Sequence, residues 1–253
     1  MTIYSLLNMT LISFILFVKN ESVDGDQAKT YSGVKVTYTI PLINVDGSLT
    51  EKKSLYEVFY VRDLLIYNFF YTFDSSVNNE SVFTESRNYY FVFHKDSLSG
   101  YIYYPYFHTH FSENRLPVDS MLDFHTFRNN KFDSLQFFQP VSSFSERDSD
   151  SIDVYRNVWP HDPREDFTIY LYYSKKFNWV KESFARKLDS KKKMKLTTIK
   201  VVASGGYFKE YNMNIPKREY VYKMSALTKK ELKERSENLE QARKYYLLRT
   251  AQK

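Results

Sequence analysis

Aromatic side chains recur along this chain in a rhythm that suits strands. YYFVFH at 89–94, YIYY at 101–104 and FTIYLYY at 167–173 put a ring or an aliphatic group at nearly every position. Tyr, Phe, Ile and Val fit a pleated, half-buried surface. Tyr, Phe and Trp make up 18% of the residues, a load that no disordered chain carries. A sheet with at least one heavily aromatic face is the direct expectation.

Period-two patterning extends this along the chain. Val34, Val36, Tyr38 and Ile40 alternate with Gly33, Lys35, Thr37 and Thr39, and Asp46-Gly47 then marks a turn. Strands are predicted over 55–62 and 64–73, with a polar connection at 74–79. Residues 89–94 and 101–104 flank KDSLSG as a hairpin, and Pro105 ends its second strand because proline has no N–H to give a ladder. Residues 131–138 and 152–159 are further strand candidates, and 142–151 (SSFSERDSDS) reads as a polar loop. Asn178 is placed to cap a helix from Trp179 to about Leu188, with Val180, Phe184 and Leu188 on one face. Strands follow at 167–173, 197–203, 207–212 and 219–224, with a turn at Gly205-Gly206.

The last element has the clearest signature. Thr228 and Glu231 form a T-x-x-E capping box, and Leu227 and Leu232 form the hydrophobic staple around it. Leu232, Leu239, Ala242 and Tyr246 share one helical face, which predicts a helix over 229–248 docked on the sheet. Short loops favour antiparallel neighbours. The predicted architecture is mainly β: a curved antiparallel sheet, half-barrel or barrel of about nine or ten strands, with the C-terminal α-helix packed on it. A mean hydropathy of −0.51 and a charged final helix argue against an outer-membrane barrel.

Residues 6–18 (LLNMTLISFILFV) are too few to span a bilayer as a helix but fit the apolar part of a secretory signal. The expected organisation is an apolar N-terminal segment over 1–28 and a single β-rich domain over 29–253. Secretion or a periplasmic location follows from that segment.

Several chemistries are excluded outright. With no cysteine there is no disulfide, thiolate zinc site, iron–sulfur cluster or cysteine nucleophile. The 6 glycines do not supply G-x-G-x-x-G or a P-loop, and G-x-S-x-G does not occur. No cofactor is expected.

Charge is divided unevenly. Residues 1–174 hold 14 Lys+Arg against 22 Asp+Glu, and residues 175–253 hold 22 against 8. The basic third attracts anions, and its densest run offers Lys191, Lys192, Lys193 and Lys195 as anion contacts.

Two further sets of candidates follow. Tyr67, Phe69, Tyr71, Tyr101, Tyr103, Tyr170 and Tyr172 fall in the alternating runs and are candidates for a binding face. His108 and His110 would share one face of a strand, and with His125 they could hold a metal. Asp148, Asp150 and Asp153 read as carboxylates of a solvated, serine-rich loop. Adjacent carboxylates such as Glu165 and Asp166 do not by themselves define a glycosidase pair.

Together these features predict an exported, non-enzymatic binding or envelope-associated module. Its partners would be an apolar ligand, a glycan or an envelope protein, with an anionic surface as a further contact. Export argues against nucleic acid. The alternative is a metal-dependent hydrolase built on His108, His110 and His125.

Overall fold

In the structure, a computed structural model, the described residues are 31–77, 80–105, 114–126, 135, 138–147, 150–157, 166–208 and 212–251. The N-terminal apolar segment, His108 and His110 lie outside them. Ser32–Lys253 clusters as a compact unit.

The alternating runs form strands, as their two-residue period requires. β1 (Ser32–Ile43), β2 (Leu49–Val61), β3 (Leu64–Val77), β4 (Glu80–His94), β5 (Ser99–Tyr103) and β6 (Leu116–Pro117) follow one another as antiparallel neighbours. The chain then crosses to the other side. β7 (Phe138–Arg147), β8 (Asp150–Asn157), β9 (Phe167–Ser174), β10 (Lys195–Ala203) and β13 (Arg218–Ala226) complete one sheet by pairing β13 with β1. β11 (Gly206–Phe208) and β12 (Met213–Ile215) form a separate hairpin. The result is an 11-stranded antiparallel sheet that does not close into a barrel.

Three helices lie among the described residues: α1 (Val118–His125), α2 (Arg186–Lys192) and α3 (Lys229–Ala251), with a 3₁₀ turn at Lys175–Phe177. Three readings of the sequence change here. The polar connection expected at 74–79 is shorter, since β3 runs to Val77 and β4 opens at Glu80. Residues 142–147 and 150–151, expected in a loop, lie in strands: Asp150 opens β8 and Ser143 pairs with Asp153 across the β7–β8 ladder. The helix expected from Trp179 to Leu188 begins only at Arg186. Asn178 instead ends the 3₁₀ turn. Glu182, Ser183, Phe184 and Ala185 are all buried, as is Val180. Four consecutive buried residues do not fit a helix that lies on the sheet with one apolar face and exposes the other.

Each face of the sheet has its own cover. On one face, Val34, Val36, Tyr56, Val58, Tyr67, Phe69, Phe91 and Phe93 join Leu171, Tyr173, Leu196 and Ile199 in a core that α1 and the 177–185 segment help to cover. Rings stack in sequence there, with Tyr67–Phe69, Tyr67–Phe93 and Phe69–Tyr89 centroids 5.8, 5.8 and 5.4 Å apart.

On the opposite face α3 lies across β1 to β5 and buries Leu239, Ala242 and Tyr246. Its start is fixed as its capping box predicts: the Glu231 backbone N–H donates to Thr228 Oγ1 at 3.2 Å, and Glu231 Oε2 accepts from the Thr228 N–H at 2.8 Å. Lys35 of β1 adds an ion pair with Glu231 at 2.6 Å. Beneath the helix runs a buried polar chain. Arg235 Nε and Asn68 Nδ2 donate to Glu57 Oε2 at 3.2 and 2.7 Å, and Asn88 Nδ2 donates to Asn68 Oδ1 at 2.7 Å. Buried polar groups require such partners.

Candidate functional site

A cleft of about 380 Å³ opens between α2 and the β7–β9 corner of the sheet. Its walls follow from strand parity. Ser143, Asp153 and Leu171 lie opposite one another across β7, β8 and β9, and Tyr155 and Tyr173 point to the same side as Asp153 and Leu171. Leu188, Lys191 and Lys192 of α2 form the remaining wall.

α2 is held over the cleft by one carboxylate. Asp189 accepts from Ser183 Oγ at 2.6 Å, from the Leu196 N–H at 2.7 Å and from Lys195 Nζ at 2.9 Å. The helix then stops at Lys193, whose φ of 54° is left-handed. These contacts tie both flanks of the helix to β10, so the cleft wall belongs to the framework.

Within the cleft, Asp153 is only 6% exposed. Its Oδ1 accepts from Ser143 Oγ at 2.6 Å and from Lys192 Nζ at 2.7 Å. Its Oδ2 has no hydrogen-bond partner among the described residues. Lys192 Nζ also sits 5.4 Å from the centre of the Tyr173 ring, a cation–π contact. Burial, and then the Asp153 charge, push the Tyr173 and Tyr155 phenols above their ordinary value. Both hydroxyls therefore remain proton donors at physiological pH. Neither has a hydrogen-bond partner among the described residues. Lys191 is exposed and makes no ion pair among them.

The four basic candidates thus separate. Lys192 and Lys195 are engaged with Asp153 and Asp189, and Lys193 is exposed away from the cleft lining. Lys191 is the cation of the set that lines the cleft without a carboxylate partner among the described residues.

The seven aromatic candidates do not share one face. Tyr67, Phe69 and Tyr71 pack in or against the core. Tyr101 and Tyr103 lie under α3, where Tyr101 meets Tyr246 edge-on and Tyr103 donates to Gln241 Oε1. Tyr170 and Tyr172 are half-buried on β9 and point away from Leu171 and Tyr173. A single continuous aromatic ligand face is therefore not formed by these residues. The runs put rings on both sides of the strands: Tyr67, Phe69 and Tyr71 face the core, Tyr101 and Tyr103 face α3, and Tyr170 and Tyr172 stay half-buried.

His125 is the one of the three metal candidates that lies among the described residues, half-buried against the aromatic rings of the core. Tyr89 Oη lies 3.0 Å from Nδ1 and 3.1 Å from Nε2, and the Phe69 ring centre is 5.0 Å away. Burial pushes this imidazole below its ordinary value, favouring the neutral ring. No group of three metal-ligating side chains occurs among the described residues.

Asp153, expected as a carboxylate of a solvated loop, is instead buried on β8; the alternation of Ser151, Asp153 and Tyr155 with Ile152 and Val154 marks a strand but not which side faces in. Glu182 had no role readable in the sequence. It is 2% exposed and accepts from the Tyr56 and Tyr67 hydroxyls at 3.1 and 2.6 Å, while its own N–H donates to Tyr60 Oη at 3.2 Å.

No protein-family model matches the chain, and no curated protein matches it.

Proposed function

We propose that this protein is a non-enzymatic binding module that takes a small polar ligand in the cleft between α2 and β7–β9. The observation that supports the reading is the cleft itself, about 380 Å³ with Asp153, Tyr155, Tyr173, Lys191 and Lys192 converging on it. Small-molecule sites are concave, of roughly 300–1,000 Å³, with few polar groups set in an apolar wall. Here the polar groups are held in advance, Asp153 by Ser143 and Lys192, and α2 by Asp189. A site organised before binding loses less entropy when the ligand arrives.

Chemical-shift mapping with millimolar glucose, glucuronate, glucose 6-phosphate and acetate tests the reading. At least one probe is expected to shift Ser143, Asp153, Tyr155 and Lys191 together. Silence at those residues with all four probes would dismiss the cleft as a ligand site. A location outside the cytoplasm remains part of the proposal and rests on residues 6–18; the N-terminal sequence of the mature protein tests it. Stoichiometric zinc in the purified protein would instead favour the hydrolase reading.

A further inference from the structure

We infer that the ligand of this cleft is an acidic sugar, a compact polyhydroxyl ring or chain bearing one carboxylate or phosphate group. The inference rests on the cleft being a binding site and is drawn from which of its polar atoms are already committed. Asp153 is more than nine-tenths buried, yet only Oδ1 is engaged, by Ser143 and Lys192. Oδ2 accepts from no donor among the described residues and keeps some exposure within the cleft. A ligand hydroxyl supplies the missing proton. The opposite demand comes from the Tyr155 and Tyr173 hydroxyls and from Lys191. These are donors that line the same cleft with no acceptor among the described residues.

A ligand that matches these atoms donates to one carboxylate oxygen and accepts from two phenols and an ammonium. Apolar ligands fail on both counts, and an amine would be repelled by Lys191. Inorganic phosphate satisfies Lys191 and carries a P–OH, but it is a compact charged group with no C–H face to set against the tyrosine rings. A sugar carrying an acid group meets every demand, and its C–H faces suit the tyrosine rings. Lys192, neutralised by Asp153 at 2.7 Å, leaves Lys191 as the cation for the acid group.

Titration calorimetry with glucose, glucuronate, glucose 6-phosphate and inorganic phosphate tests this, using the wild type, Lys191→Gln and Lys193→Gln. Both substitutions are at exposed positions, so folding is not at stake. At least one acidic sugar is expected to bind more tightly than both glucose and phosphate. Lys191→Gln should weaken it about fivefold, the upper end for an exposed ion pair. Lys193→Gln should leave it unchanged. Whether glucuronate or glucose 6-phosphate leads distinguishes a carboxylate from a phosphate. Glucose or phosphate binding at the cleft as tightly as either acid would overturn the inference while leaving the binding reading intact. So would an equal loss in the two lysine variants, which would mean attraction to a basic surface only. No binding of any probe would remove both.

Discussion

The Tyr67 hydroxyl donates to Glu182 Oε2 across 2.6 Å, joining the first part of β3 to a loop 115 residues further along the chain. Tyr56, the neighbour of Tyr67 in the ring stack, donates to the other oxygen at 3.1 Å. One carboxylate thus anchors the 177–185 segment to the aromatic half of the sheet. Hydrogen bonds to a charged acceptor contribute about 1.5–3 kcal/mol each. Tyr67→Phe is expected to lower unfolding stability by an amount in that range, and Tyr56→Phe by less, because its bond is longer. Urea denaturation of the two variants checks the order; equal, negligible losses would show that Glu182 does not anchor the segment.

Beneath α3, Glu57 depends on Arg235 for its charge partner. The Glu57 side chain is 3% exposed and that of Arg235 31%. Removing Arg235 leaves a buried carboxylate with Asn68 alone, at a cost of about 2–3 kcal/mol once the exposure of Arg235 is allowed for. Arg235→Met should show that loss. Adding Glu57→Gln should return part of it, because the stranded charge is gone. A double variant no better than the single one would refute the pairing.

Glu231 links the helix start to acid stability. Lys35 and the Thr228 cap hold its carboxyl down to about 2. The folded value is thus below the unfolded one, near 4.5. Its contribution is fully present above about pH 4.5 and is lost as the pH falls towards 2. Glu231→Gln should therefore lose stability at pH 7 and show a shallower decline between pH 5 and pH 2 than the wild type. Thr228→Ala, which removes the side-chain cap, should cost about 1 kcal/mol. Thermal unfolding across this pH window reads both effects.

Gly33 sets how closely β1 meets the approach to α3. A Cβ there would come within 2.8 Å of Leu227 Cδ1 and 2.9 Å of the Val58 carbonyl oxygen. The Leu227 side chain can shift, but the β2 backbone cannot do so without breaking its ladder. Gly33→Ala is expected to destabilise by about 1–3 kcal/mol, as overpacking does. An unchanged melting temperature would mean that the sheet yields more easily than its ladder implies.

The alternating runs revealed most of the strands because the period of two is a local property of the backbone. Val34, Val36 and Tyr38 on β1 show it, as do Ile169, Leu171 and Tyr173 on β9. The capping box of α3 was legible for the same reason, since Thr228 and Glu231 meet within one turn. The 142–151 hairpin was hidden by its serines and acids, whose usual place is a loop, although Asp153 turns inward between Ser143 and Lys192. Val180, Phe184 and Leu188 were expected on one face of a helix; Val180 and Phe184 are buried, but the helix begins only after them. Their spacing of four did not show that Glu182 would turn inward to meet Tyr56 and Tyr67.

The sequence alone determined a β-rich chain with aromatic strands, antiparallel neighbours, no thiol chemistry and a capped basic helix at its end. Each of these depends on residues a few positions apart or on composition. Which rings became core, which lysines stayed available and which carboxylate faced a cleft were decided only by the tertiary structure. Those outcomes depend on partners far along the chain: Glu182 on Tyr67, Glu57 on Arg235, and Asp153 on Lys192. A side chain's burial and charge pairing are properties of its surroundings, and no local pattern encodes surroundings that form only when the sheet assembles.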